Sequence, residues 1–438
     1  MQNLFKKSAL FLVFFIFSCQ LHEQKTVTKT PIVAPEQEVL APKSNYDFLE
    51  TRDLATIKSH KEKLKVALFL PFSGKNKELG WHLFNSATLS LFDNDLNNNI
   101  ELVLIDSGDT PQEATKAFKE VVKQEIKVVI GPVFSTYVEA IEADVKANDI
   151  VAISLSNNPK LVDKTTTKGG IFLSGIMPEA QIEKIVSYAM DQQKTSFAVI
   201  APNNQYGLIM TDLMKKTVKR KDGNFISSEF YETSTKDFSG IAARIVSSFK
   251  VPSSLAEGGK NKLKKDAVAL KDSDRIYPKI IFIPESGKTL SKIVEEVKAQ
   301  NKDERDFQIV GSAQWDDVSS LTDQNLVGAW FSAPENEKFH TFEQSYFQTF
   351  NKFPPRITSI VYDSVAVIAD LAEKKKGLRL EIGDFTAYST WPKNGFQGID
   401  GLFRFLPNGL VQRNLAMLQI KRDRFETIDK PVEKFLRY

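Results

Sequence analysis

Residues 280 to 290 read IIFIPESGKTL, an apolar run that turns into Gly-Lys-Thr. A phosphate-binding loop ends this way, but it needs G-x-x-x-x-G-K-[ST] so that an open backbone can cradle the phosphates. Five positions before Gly287 stands Phe282, which lacks the backbone freedom of glycine. The stretch therefore reads as a strand, a turn at Pro284–Gly287 and a helix that opens near Lys288. Catalytic sets are equally hard to assemble. The four histidines are His22, His60, His82 and His340, and their spacing matches no zinc motif. No G-x-S-x-G elbow occurs. Asp316 and Asp317 are adjacent, so their side chains diverge, and a solvated turn explains them better than paired acid–base work. The run G-F-Q-G-I-D-G at 395–401 is not a dinucleotide fingerprint and reads as turns between strands.

The elements that would position any site follow a clear rhythm. KVALFLPF, ELVLIDSGD, KVVIGPVFS and IVAISLS are short apolar runs separated by helical patterns. One helix start is explicit: Thr110 as N-cap, Pro111 at the first helical position and Glu113 three residues on. The rhythm restarts after GGIFLSGIMP, through SFAVIAPNN, NFISSEFYE, KIIFIPES and FQIVGSAQW. Alternating strands and helices predict parallel sheets covered on both faces. The expected fold class is α/β: two lobes, each a parallel sheet flanked by helices, joined by crossovers. A Lys-rich stretch at 251–275 interrupts the second lobe as an inserted loop.

Ligands of such sheets sit beyond the carboxyl ends of the strands. Here those ends read PFSG, DSGD, GPVFS, SLSNNP, APNNQYG, PESG and GSAQWDD. They supply hydroxyls, amides and a few aromatics, which suit a small polar ligand. Candidate contacts are Ser73, Ser135, Ser156 and Asn158 as hydrogen-bonding groups, Tyr206 and Trp315 as stacking rings, and Glu285 as an acceptor. Each has a plainer alternative: turn capping for the first four, a hinge plug for the aromatics, and solvent for Glu285.

The chain has 438 residues, 42% hydrophobic, with a net charge of +3, so it offers core for two lobes and no polybasic field for nucleic acid. Its one cysteine, Cys19, follows Lys6, Lys7, an apolar run from Ala9 to Phe17, and Ser18. These are the parts of a secretory signal, too short to span a bilayer. The segment Ile16-Phe17-Ser18-Cys19 resembles a bacterial lipobox. That resemblance implies removal of residues 1–18 and acylation of Cys19. Gln20 after the cysteine favours the outer membrane of the cell envelope. With no second cysteine, no disulfide supports the fold. Residues 19–62 are polar and proline-containing and read as a flexible tether.

From Leu64 to about Ile420 the chain resembles the type 1 periplasmic binding proteins, the leucine/isoleucine/valine-binding group. VALFLPFSG, IGPVFS, AISLSNNP, FAVIAPNNQYG and EFYETSTKDFSGIAARI carry the likeness. IIFIPESG, GSAQWDD, GAWFSAPE, FNKFPPRITSIVYDSVAV and NGFQGIDGLFRFLPNGLVQRNLAMLQI look like the penicillin-binding-protein activator branch of bacterial lipoproteins. The resemblance implies a lobe 1 at 63–176 and 334–400, a lobe 2 at 177–333 and 401–430, and crossovers near Gly175 and Ala333 and in the C-terminal segment. It implies that Ser135 and residues 156–158 hold a ligand carboxylate and that Tyr206 lies against the ligand. Amino-acid binders place an acid after the strand–Gly turn that corresponds to GSAQW, and here the first acids are Asp316 and Asp317. The function implied is a non-enzymatic, cofactor-free activator that docks on a penicillin-binding protein, a peptidoglycan synthase. The alternative is a solute receptor that delivers an amino-acid-like or amide ligand to an ABC permease.

Overall fold

A computed structural model describes residues 62–162, 170–251, 275–376, 379–387 and 395–435. The signal segment, Cys19, nearly all of the tether and the interior of the 251–275 insertion lie outside the described residues.

The first strand, β1 (Leu64–Leu70), reads LKVALFL, and only Lys65 in it reaches solvent. Near-continuous apolar sequence marks a strand covered on both faces. It sits inside a five-stranded sheet of order β2-β1-β3-β4-β5, with β2 (Ile100–Asp106), β3 (Val128–Ile130), β4 (Val151–Ser154) and β5 (Gly170–Leu173). All its pairings are parallel. Parallel neighbours need crossover helices. These are α1 (Lys77–Asn94), α2 (Pro111–Lys123) and α3 (Ser135–Ala147). In α2 the Thr110 hydroxyl accepts from the Glu113 amide while Glu113 accepts from the Thr110 amide, the reciprocal cap expected from the sequence. Ala114, Phe118 and Val121 of α2 then face the sheet, and Phe118 meets Phe69 edge-on at 5.3 Å. Burial of one such ring contributes roughly 1.5–3 kcal/mol.

The chain then builds a second sheet, of order β15 (Phe425–Asp429), β14 (Ala416–Ile420), β10 (Trp330–Ala333), β9 (Gln308–Gly311), β8 (Ile280–Ile283), β6 (Ser196–Pro202) and β7 (Asn224–Tyr231). Its elements in chain order are α4 (Pro178–Asp191), β6 (Ser196–Pro202), α5 (Gln205–Arg220), β7 (Asn224–Tyr231), α6 (Ser239–Ser247), β8 (Ile280–Ile283), α7 (Gly287–Gln300), β9 (Gln308–Gly311), α8 (Val318–Thr322) and β10 (Trp330–Ala333). Every residue of β6 is buried. Alternation along it feeds two cores: Ala198 and Ile200 on one face, Phe197, Val199 and Ala201 on the other.

From β10 the chain returns to the first lobe with α9 (Asn336–Phe350), α10 (Thr358–Lys375) and α11 (Ile382–Thr386). A small antiparallel sheet follows: β11 (Phe396–Gly398), β12 (Gly401–Phe405) and β13 (Val411–Arg413). The 395–401 glycines thus serve a hairpin, with Gly401 at φ 84° in its turn. β14 (Ala416–Ile420) and β15 (Phe425–Asp429) finally add antiparallel strands to the second sheet.

The chain passes between the two sheets at 174–177, 334–335 and 414–415. One boundary differs from the sequence expectation. The resemblance puts residues 401–430 together in the second lobe, but Phe403, Phe405 and Val411 pack in the first core. Aromatic side chains on β12 meet Phe172 and Phe396 there, so the hairpin follows its packing partners.

Candidate functional site

The carboxyl ends of both sheets carry the candidate side chains. In the first lobe, Ser73 follows β1, Ser135 follows β3, and Ser156 and Asn158 follow β4, so they lie at neighbouring exits of one sheet. The structure brings Ser135 and Ser156 together, Oγ to Oγ, at 2.8 Å. Ser135 is the first residue of α3 and no side chain caps that helix. Around the pair, Ser154 Oγ donates to the Pro132 carbonyl (2.8 Å), the Ser156 amide to Ser154 Oγ (3.1 Å) and the Asn158 amide to Ser156 Oγ (3.2 Å). This is a hydroxyl cluster beside the start of α3, which carries no side-chain cap, and helix starts favour anionic or carbonyl oxygens.

Ser73 and Asn158 have local work. The exposed Ser73 donates its amide to Asp106 Oδ1 at 3.3 Å, joined there by the Phe72 and Gly108 amides. Burial of Asp106 opposes its charge, but these donors and the Ser73 hydroxyl together hold the carboxyl below its usual range. The Asn158 side chain accepts from the Lys160 amide at 3.2 Å and caps a short turn.

In the second lobe Tyr206 follows β6, Glu285 follows β8 and Ser312 follows β9, again neighbouring exits. Tyr206 is half-buried. Burial pushes its phenol up to about 12, with Ser312 opposing and the Glu285 charge adding. It is therefore a neutral donor near pH 7. Glu285 is not a free acceptor. One carboxylate oxygen takes the Tyr231 hydroxyl and the other accepts the Ser286 amide at 2.9 Å. The buried Tyr231 phenol is raised by burial and by this carboxylate.

Two expectations from the sequence are corrected here. Trp315 does not stack in a cleft: it is fully buried in the second core. Its ring lies over Gly311 and its indole N–H donates to the Glu285 carbonyl at 2.7 Å. Asp316 is not a solvated turn residue: it is buried and accepts from Arg356 Nε at 2.7 Å. Burial raises its carboxyl, with Arg356 opposing. Only Asp317 remains exposed, where it caps α8 through the Ser319 amide.

Gly311 gives a direct test of the Trp315 seat. A Cβ at this position would stand 2.0 Å from the indole ring. Gly311→Ala is expected to destabilise the protein by about 1–3 kcal/mol through overpacking, read as a lower urea midpoint.

His82 lies on α1 and meets the Tyr346 hydroxyl at 2.9 Å, and the exposed His340 lies on α9. Among the described residues no group of three or more His, Cys, Asp or Glu is placed to hold a metal ion. No helix of the described residues is long and apolar enough to cross a membrane. A separate cavity of ≈ 350 Å³, lined by Lys298, Arg305, Gln308 and Gly328 among others, opens at the opposite end of β9.

A family model described as a periplasmic binding protein matches residues 63–424. An uncharacterised protein of Rickettsia prowazekii (strain Madrid E) is 22% identical over 309 residues, which cover 70% of this chain and 69% of that protein. A putative branched-chain amino acid ABC transporter from Rhodospirillum rubrum superposes with a TM-score of 0.65 at 15% identity, covering 84% of this chain and 100% of the other. The branched-chain amino acid transporter substrate-binding protein of Streptococcus pneumoniae, solved with isoleucine, gives a TM-score of 0.57 at 18% identity, covering 85% and 100%. At these identities the structural likenesses carry the two-lobed fold.

Proposed function

The chain belongs to the periplasmic binding protein family, and we propose that this member is a non-enzymatic, lipid-anchored regulator that activates a penicillin-binding protein, a peptidoglycan synthase. The observation that carries this reading is the state of the second-lobe exits. Trp315 is packed inside the lobe, Asp316 is taken by Arg356, and Glu285 is taken by Tyr231 and the Ser286 amide. A free amino acid would find both of these second-lobe acids, Glu285 and Asp316, already engaged and neither free to pair with its ammonium. Burying that charge unpaired costs several kcal/mol. The surface then acts by docking, with Cys19 as the acylated anchor, in the outer membrane by preference, and residues 19–62 as the reach. Docking shifts the partner toward its active state by the difference in affinity for its two states.

A second reading has its own support. The Ser135–Ser156 hydroxyl pair at the start of α3 suits a ligand oxygen. In that reading Ser73, Asn158 and Tyr206 complete a polar cleft, and the protein hands an amide or amino-acid-like solute to an ABC permease. In-cell crosslinking of a tagged copy, with capture in detergent and mass spectrometry, separates the two. Enrichment of a peptidoglycan synthase without transporter subunits is the expected result. Enrichment of an importer permease, with solute binding lost in Ser135→Ala, would establish the receptor reading instead.

A further inference from the structure

Arg356 stands where the two lobes meet, just ahead of α10, and its guanidinium is shared between them. On the lobe-1 side Nη1 is held twice, while Nη2 is buried without a hydrogen-bond partner. Nη1 donates to Asp400 Oδ1 at 2.6 Å and to Ser359 Oγ at 2.9 Å. Ser359 Oγ in turn reaches Asp400 Oδ2 at 2.9 Å. The guanidinium carbon lies 4.1 Å from the centre of the Phe339 ring, on α9. Asp400 is held from behind by its amide, which donates to Asp363 Oδ2 at 3.4 Å. All of these groups sit on elements packed in or against the first core.

The Nε arm points to the other lobe. Arg356 Nε donates to Asp316 Oδ2 at 2.7 Å, and the Asp316 side chain is only 5% exposed. Asp316 directly follows Trp315, the fully buried anchor of the second core. Asn336, the first residue after the 334–335 crossover, also reaches Asp316 with its side chain. The link therefore joins a rigid part of one lobe to a rigid part of the other, beside a crossover.

We propose that Asp316–Arg356–Asp400 is an interlobe latch that sets the angle between the lobes. Lobe rotation is the usual motion of two-lobed binding folds and turns on a few crossover residues. Here rotation that separates Asp316 from Arg356 strands a carboxylate that is already out of water, and breaking a buried pair from one side is strongly unfavourable. Arg356 stays with Asp400 and Ser359, so Asp316 is the partner that leaves. The latch goes beyond the docking function proposed above, because it holds one lobe arrangement whichever partner or ligand the protein meets.

The test uses the full chain with Cys19→Ser and spin labels at Lys119→Cys on α2 and Lys215→Cys on α5, both exposed positions on opposite lobes. Pulsed electron resonance then reads the interlobe distance. One narrow distribution is expected for the parent, and Asp316→Asn is expected to add a second population at a shifted distance. Asp317→Asn, the exposed neighbour, should leave the distribution unchanged. If Asp316→Asn does not fold, Ser359→Ala, which loosens the guanidinium without removing a charge, is expected to broaden the same distribution. An unaltered distribution in the folded Asp316→Asn chain, or in Ser359→Ala where that chain is used, would overturn the latch and leave the ion pair as a static pivot.

Discussion

Trp315→Ala is expected to destabilise the protein by about 3–5 kcal/mol, the range for emptying a fully buried large aromatic site. The ring is completely out of solvent and is among the largest buried side chains of the described residues. It fills the space over Gly311, lies 6.5 Å from the Phe331 ring and ties the Glu285 carbonyl through its N–H. Removing it opens a cavity at the root of the β8 and β9 exits and frees the turn that carries Asp316. Urea unfolding should show a lower midpoint with little change in slope. Unchanged stability together with altered solute binding would restore the ring to the cleft role expected from the sequence.

Arg413→Met is the second large effect. The Arg413 and Asp363 side chains are 1% and 2% exposed and meet at 3.3 Å. The guanidinium carbon also lies 4.4 Å from the centre of the Phe403 ring. Asp363 further accepts from the Ile399 amide at 2.7 Å and so pins the β11–β12 turn. Removing the cation alone leaves a buried carboxylate, and the expected cost is about 3–5 kcal/mol. The double variant Arg413→Met with Asp363→Asn should recover part of that loss, because no buried charge is then left unpaired.

The same carboxyl makes a pH prediction. Burial pushes Asp363 from 3.8 up to about 6, with Arg413 opposing and Asp400 adding. The folded state therefore holds this proton over a range where the unfolded chain has released it. Its stabilising contribution is complete below about pH 4 and is lost as pH rises through about 6. Asp363→Asn keeps the neutral form at every pH. Its stability relative to the parent is expected to rise between pH 4 and pH 7 in paired urea titrations. A constant difference across that range would place the titration elsewhere.

What local sequence could determine, it determined well. Strand ends, helix starts and turns depend on neighbours a few positions apart. The buried run of β1, the Thr110–Glu113 cap and the glycine turn between β11 and β12 could all be read directly. The polar character of the strand exits was equally visible, because side-chain type needs no structure. Which exit groups remain unengaged was not. Asp316 looked like a surface acid because its partner stands 40 residues away, and the Tyr231 that occupies Glu285 is 54 residues distant. The Arg413–Asp363 pair spans 50 residues, and no periodicity or spacing rule links such positions. The β12–β13 hairpin went to the first lobe for the same reason: its neighbours were chosen by aromatic packing, not by its place in the chain. Sequence alone thus determined the two α/β lobes and the chemistry offered at their edges. Only the tertiary structure decided which of those groups are consumed in holding the lobes, since charge pairing and close packing are satisfied in space and not along the chain.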